Sequence, residues 1–505
     1  MKRSLVAAFA LTLLPTGLVG QSDPVEEAAR TISQEDYAWR IGVIAHDSMQ
    51  GRNTPSPGLD KTAEWIASEF RRFGLKGGVE GGGFLQRYPL VETVLDTDAS
   101  RLQVRGGAAF RYGVDVIPVR SGSDAGATGG VVVLSGTPDL QALSGLSLDG
   151  KHVVLVLPAA AASNRRALFG TLAAIGGSGA ASAILVNGGT DAEWASAVRQ
   201  ALRPSVSWPS EERGGGGSVP MVQVRPRVLE GILQGSGLAA SSLQASGALK
   251  VTEVPGVTLT LTQRVRVGET SAPNVVGILE GSDPVLKDEY LVFSAHMDHV
   301  GMGTPDENGD SIFNGADDDA SGTVAIMEVA EAMASMNPAP RRSVIFVVVS
   351  GEEKGLWGSQ YYADHPSVPV EKMVANLNAD MVGRNWPDTI VAIGKEHSDL
   401  GETMNRVNDE HPELRMTAID DIWPEERFYF RSDHYNFARK GVPILFFFNG
   451  THPDYHGRDD EPDRVDSEKA ARISKLLFYL GVAVANADER PKWNPESYRQ
   501  IVSDR

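Results

Sequence analysis

Chemically versatile side chains cluster at five places in the second half of this 505-residue sequence. SAHMDH supplies His296 and Asp298, NGADDDASG supplies Asp317, Asp318 and Asp319, and SGEE supplies Glu352 and Glu353. NADM supplies Asp380, and NGTHPDYH leads to His456. The chain contains no cysteine. That excludes a thiolate nucleophile, a disulfide and any Cys-ligated metal or iron–sulfur site. Imidazoles and carboxylates remain, and they are the ligands zinc takes when thiolates are absent. Two ions need about three protein ligands each, and one carboxylate can bridge them. On this reading His296, Asp318 and Asp380 hold one ion, and Asp318, Glu353 and His456 hold the other. Asp298, two residues beyond His296, is placed to hydrogen-bond the far imidazole nitrogen, which would fix the tautomer and raise ligand basicity. Glu352 is left free beside a ligand. Adjacent side chains diverge at a strand end, so Glu352 faces the activated water, where a general base is needed.

Taken singly, each cluster has a plainer reading. An HxD pair is commonly a capping feature. Three aspartates before a helix favour its N-terminus without any metal. EE after a strand is an ordinary solvated turn, and many loops carry a histidine. The ordered set decides between these readings, because the elements that carry the clusters recur in one pattern. Apolar runs at 290–295, 343–350, 374–378 and 442–448 (among them VIFVVVS and PILFFFN) read as buried strands. Helices are expected at 321–336 and 468–485. Alternating strands and helices predict an α/β layer fold with a mostly parallel sheet. Sites in such sheets form outside the carboxyl ends of the strands; four of the clusters follow such ends, and the three aspartates stand just before a helix.

The rest of the chain has two other textures. Residues 60–73 form an amphipathic helix, with Trp65, Ile66, Phe70 and Phe73 at helical spacing and a stop at Gly74. From about 106 to 254 the sequence is rich in Gly, Ala, Ser and Val, with strand-like runs at 131–134, 152–157 and 183–186, a helix at 165–174 and a flexible loop EERGGGGS at 211–218. This stretch has no cluster of His or carboxylates and reads as a separate inserted domain. Residues 1–20 begin with Lys2 and Arg3, continue through an apolar stretch and end at small residues before Gln21. That is the pattern of a secretory leader, too short to span a bilayer. Four parts follow: a signal peptide at 1–20, catalytic sequence at 21–105 and 255–505, and the insertion at 106–254. An exported protein, periplasmic or secreted, is expected. The formal charge of −18 argues against a nucleic-acid partner. HExxH, G-x-S-x-G and Walker patterns are absent.

Together SAHMDH, NGADDDASG, SGEEKGLWGS, NADMVGR, RSDHYNF and DYHGRDDEPDRVD resemble metallopeptidase family 28, the di-zinc exopeptidases. GKHVVLVLPAA and GGSGAASAILVNGG resemble the protease-associated domain that many of these enzymes carry. The resemblance implies a three-layer α/β/α zinc-exopeptidase domain with a mixed central sheet, plus a smaller β-rich insertion. It implies two Zn2+ ions per chain, with His296, Asp318, Glu353, Asp380 and His456 as ligands and Asp318 as the bridge. Glu352 matches the general base. Tyr455 matches a tyrosine that helps to stabilise the tetrahedral intermediate in some members. The Asp318–Asp319 peptide is expected to be cis. His299, His434 and His452 lie near these motifs and are read as neighbours, not ligands. The implied activity is hydrolysis at peptide or protein N-termini, with carboxypeptidase and dipeptidase as alternatives within the family. Asp420, Asp421, Glu425 and Glu426 are candidates for holding a substrate α-amine. A partner-binding protein on an inactive peptidase scaffold is the remote alternative, and no membrane span is expected.

Overall fold

Four apolar runs become adjacent parallel strands. In chain order the first unit's sheet contains β1 (Val265–Leu279, of which residues 273–279 fall in this unit), β2 (Tyr290–His296), β3 (Ser343–Val349), β4 (Met373–Ala379), β5 (Thr389–Ile393), β6 (Thr417–Ile419) and β7 (Ile444–Phe447). They pair in the order β6-β5-β7-β4-β2-β3-β1. β3, β2, β4 and β7 run parallel. β1 is antiparallel to β3, and β5 is antiparallel to β7. The sheet is therefore mixed but parallel at its centre, where a buried strand has to be apolar on both faces.

Successive residues of these strands serve opposite layers. Val292, Ile345 and Val347 pack with Tyr362, Phe437 and Ile501, which come from short helices on one face. Phe293 and Phe346 point the other way and stack at 5.5 Å. That second face is covered by α1 (Gln34–Ile44), α2 (Pro57–Arg72), α3 (Gly322–Ser335) and α4 (Ser467–Asn486). Phe70 of α2 lies 6.3 Å from Phe346. Helix α4 crosses at Gly481, where a Cβ would stand 2.5 Å from Phe293 and 2.6 Å from Met333 of α3. Burying each such phenylalanine contributes about 1.5–3 kcal/mol. The helices start where their sequences say they should: Ser33, Ser56 and Asp466 accept backbone N–H groups at the first turns of α1, α2 and α4. This is the three-layer α/β/α arrangement.

The computed structural model describes residues 23–119, 123–138, 143, 146–209, 219–243, 245 and 247–502. The expected leader at 1–20 and the loop at 211–218 lie outside them. The chain divides into two compact units: one of Met1–Gln86, Pro273–Gly303 and Asp310–Arg505, and one of Arg87–Ala272 with Thr304–Gly309. The second unit is wider on both sides than the textural change at 106–254. It holds an eight-stranded mixed sheet. Within it Ala125–Ser135, His152–Val156, Ser182–Val186 and Met221–Val224 are parallel neighbours. The long strand Lys250–Gln263 is antiparallel to the first of these. Helices Arg165–Gly177, Asp191–Ala201 and Pro226–Leu233 accompany the sheet, and strand residues outnumber helical ones in this unit. Among the described residues no helix is long and apolar enough to cross a membrane.

Candidate metal centre

The sheet's central strands end at one place. His296 is the last residue of β2, Glu352 and Glu353 follow β3, Asp380 follows β4, and His456 lies in the loop after β7. Asp318 comes from the segment that leads into α3. His296, Asp318 and Asp380 are 1%, 3% and 6% exposed, a depth at which ionisable groups need partners.

His296 Nδ1 donates to the backbone carbonyl of Asp298 at 3.2 Å. Its other nitrogen, Nε2, lies 3.5 Å from Asp318 Oδ1 and 3.6 Å from Asp380 Oδ1. The expected tautomer lock is thus present, but with a different acceptor. The Asp298 carboxylate is 3.7 Å from Nδ1 and is otherwise engaged: Oδ2 accepts Thr54 Oγ1 at 2.9 Å, and Oδ1 accepts the Glu352 N–H at 3.2 Å. Asp298 therefore positions the backbone of Glu352. Thr54 strengthens that tie, because its Oγ1 also accepts the Gly351 N–H at 3.0 Å. Sequence spacing gave no hint of Thr54, which is 244 residues from its partner.

Asp318 stands between two groups of donors. While Oδ1 faces His296, Oδ2 is 3.1 Å from His456 Nε2 and 3.6 Å from His299 Nδ1. Glu353 Oε1 lies 3.2 Å from His456 Nε2 and 3.1 Å from His299 Nδ1. The five expected ligands are thus brought together. His299, read from the sequence as a bystander, is among them. It lies in the irregular segment after β2, where side-chain direction does not follow strand alternation.

A shell of backbone hydrogen bonds fixes this cluster. Asp460 accepts the N–H groups of Asp317 and Asp318 at 3.0 and 3.1 Å. Asp319 accepts from His296 N, Gly322 N and Met381 N at 3.1, 2.8 and 3.1 Å, joining β2, α3 and the end of β4. Asp317 Oδ1 accepts Gly383 N at 2.6 Å. The Asp318–Asp319 peptide is cis. Ser432 Oγ donates to Asp380 Oδ2 at 2.9 Å. Arg52, wholly buried, donates to the carbonyls of Met297, Ile44, Asn314 and Gly315 at 2.6–2.9 Å. The other nearby histidines are engaged elsewhere. His434 Nε2 donates to Tyr429 O at 2.8 Å and stacks on Phe446; His452 faces Asp317 Oδ2 at 3.3 Å.

The basin carries more negative than positive charge. Burial, with Asp380 adding to it, pushes the Asp319 carboxyl well up. Burial does the same to Glu352, aided by Asp433, Asp380 and Glu353 and opposed by His296. Burial would lower His456, but Asp318 and Glu353 outweigh it and hold the imidazole at about 10. Burial alone would raise Glu353; His299 and His456 hold it below the usual carboxylate range. Several buried atoms also lack hydrogen-bond partners among the described residues: both ring nitrogens of His299, Asp318 Oδ2 and Glu353 Oε1. Buried polar atoms are rarely left so. Close approach without hydrogen-bond geometry, in a carboxylate-rich basin of nitrogen and oxygen donors, fits divalent cations of the zinc type.

An open cavity adjoins the cluster, and His296, Asp318, Glu352 and Asp380 line it. Its lining also includes the apolar Met381, Phe428, Phe446 and Phe448, together with Arg431 and Tyr455. The Tyr455 ring stacks on His456 at 3.9 Å. The four acidic candidates for an α-amine site do not line this cavity. Asp420 pairs with Lys395, Asp421 accepts Trp423 N, Glu426 pairs with Arg431, and Glu425 is exposed.

Residues 274–481 match the model of peptidase family M28. A probable zinc metalloprotease of Pyricularia oryzae is 29% identical over 306 residues, which is 52% of this chain and 57% of that protein. The aminopeptidase YwaD of Bacillus subtilis is 25% identical over 256 residues, 48% of this chain and 51% of that protein. The chain spans little more than half the length of these curated relatives. Among solved structures, the aminopeptidase from Aneurinibacillus sp. strain AM-1 aligns at a TM-score of 0.52 and 18% identity, over 93% of this chain and 98% of that one. BSAP, a zinc aminopeptidase from Bacillus subtilis, aligns at 0.53 and 16%, over 89% and 94%. The structural likenesses speak for the fold.

Proposed function

Residues 274–481 belong to peptidase family M28, and from that premise we propose that the chain is a zinc exopeptidase acting at free N-termini. The observation that carries this reading is Asp318, whose Oδ1 faces His296 at 3.5 Å while its Oδ2 faces His456 at 3.1 Å. His296, Asp318 and Asp380 would hold one zinc ion, and Asp318, Glu353 and His456 the other. Bound zinc supplies Lewis acidity toward a carbonyl oxygen and lowers the pKa of water. Glu352, with its carboxyl pushed up by burial and by Asp433 and Asp380, takes the proton of the attacking water and returns it to the leaving amine. Asp298 and Thr54 hold the Glu352 backbone for that role. Tyr455, which lines the cavity, donates to the developing oxyanion. The apolar lining of Met381, Phe428, Phe446 and Phe448 suits an apolar terminal side chain.

The relatives named aminopeptidases support the N-terminal reading. It is tested with one peptide series in free, N-acetylated and C-terminally amidated forms. Loss of cleavage on acetylation alone is expected; equal cleavage of the acetylated form refutes it. A second reading, cleavage beside a free carboxylate, draws on Arg431, the only Arg or Lys lining the cavity among the described residues. It requires that amidation be the modification that abolishes cleavage. No hydrolysis of any member by zinc-loaded protein would leave the scaffold role. We also propose export through the leader at 1–20, checked by N-terminal sequencing of the mature protein, and assign residues 106–254 to a protease-associated domain.

A further inference from the structure

We propose that His299 is a direct zinc ligand through Nδ1, so that one site is a four-donor set of His299, Asp318, Glu353 and His456, while the other keeps three donors. This rests on the two-zinc reading above and goes beyond its ligand list. His299 is 0% exposed. Nδ1 lies 3.1 Å from Glu353 Oε1 and 3.6 Å from Asp318 Oδ2. None of these three atoms, nor His299 Nε2, has a hydrogen-bond partner among the described residues. A buried imidazole that sits close to a carboxylate without hydrogen-bond geometry is rarely left so, and its place among three further donors calls for an occupant. The rings of His299 and His456 approach edge-on with centroids 5.6 Å apart, so that both turn toward the same two carboxylates.

The surroundings are built around this ring. Gly315, at φ +56, has no side chain where a Cβ would stand 2.4 Å from the His299 ring. The His299 N–H donates to Arg52 O at 3.3 Å. The Arg52 side chain binds the carbonyls of Met297, Asn314 and Gly315 at 2.7, 2.6 and 2.8 Å, which holds both backbone segments that flank the ring. A zinc with four protein donors is coordinatively closed, whereas one with three keeps an open position. The two ions would therefore differ: the His299 site binds more tightly, and the His296 site carries the exchangeable position.

The test is zinc binding by the full chain. Metal-free protein is titrated with Zn2+ against a chelator of known affinity, for wild type, His299→Ala and His299→Asn, with folding checked by circular dichroism. Wild type should bind two ions. His299→Ala should weaken one of them about 100-fold or more and leave the other unchanged, with His299→Asn weakened less. Two ions held at wild-type affinity by folded His299→Ala would overturn the proposal. X-ray absorption at the zinc edge on unaltered protein gives a readout that no folding defect can confuse. Three imidazoles shared by two ions are expected; two imidazoles overturn the assignment. Wild type that binds no zinc would instead defeat the two-zinc reading itself.

Discussion

Glu352 and Glu353 show how one dipeptide divides its chemistry. Both follow the same strand, yet their environments push them in opposite directions. Burial and neighbouring carboxylates raise Glu352, whereas His299 and His456 pull Glu353 down. A carboxyl that readily takes a proton beside one that stays ionised is what a base–ligand pair requires. On the proposed roles, Glu352→Gln should keep the wild-type zinc content, by metal analysis, and lower kcat by about 10²–10⁴-fold. Asp318→Ala removes a group that faces both donor sets and should lose at least one ion. At this scale the sequence was informative wherever a proposed ligand ends or closely follows an apolar run, as His296, Glu353 and Asp380 do. It was uninformative for His299, which lies past the strand end, and for Thr54 and Asp460, whose partners are 244 and 142 residues away. No local spacing encodes such contacts. Asp298 was placed correctly but given the wrong bond, because its own carbonyl outcompetes its carboxylate for His296.

The elements hold these residues in register by close packing of the two layers onto the sheet. Helix α4 can pass over β2 only because residue 481 has no side chain; a Cβ there would meet Phe293 at 2.5 Å and Met333 at 2.6 Å. Gly481→Val should destabilise the first unit by about 1–3 kcal/mol, seen as a lower urea midpoint with unchanged slope. Because β2 carries His296, zinc affinity should fall with it. Thr54→Val is a gentler probe, since it removes one hydroxyl that joins the loop before α2 to Asp298 and Gly351. A loss of about 1–2 kcal/mol is expected, with kcat falling more than KM rises if the Glu352 backbone shifts. The central strands and both long helices were legible because a buried parallel strand is a continuous apolar run. β1, β5 and β6 were not anticipated: β6 is three residues long, and β1 is exposed along its first half, so neither shows a buried run at full length.

At the scale of the whole molecule, the two units should answer to different solutes. The proposed zinc donors all belong to the first unit, so zinc should stabilise that unit by about 2.7 kcal/mol at a hundredfold excess over Kd and leave the second untouched. Protons should act on the second unit through His152. This side chain is 0% exposed, with Nδ1 2.7 Å from Ser182 Oγ between two parallel strands. Burial lowers it from 6.5 to about 4. Above pH 6.5 the folded and unfolded forms are both neutral here, and the residue adds no pH dependence. As the pH falls from 6.5 toward 4, the unfolded chain takes up a proton that the folded unit refuses, so stability drops by an amount of order 2–3 kcal/mol. Scanning calorimetry of metal-free protein at pH 7 and pH 4.5, with and without His152→Gln, isolates the effect. The variant should flatten the acid loss of the second unit's transition while the zinc-sensitive transition keeps its own pH dependence. An unchanged acid loss in the variant would mean that His152 is not the group responsible, and that the unit's acid sensitivity lies in its surface charge.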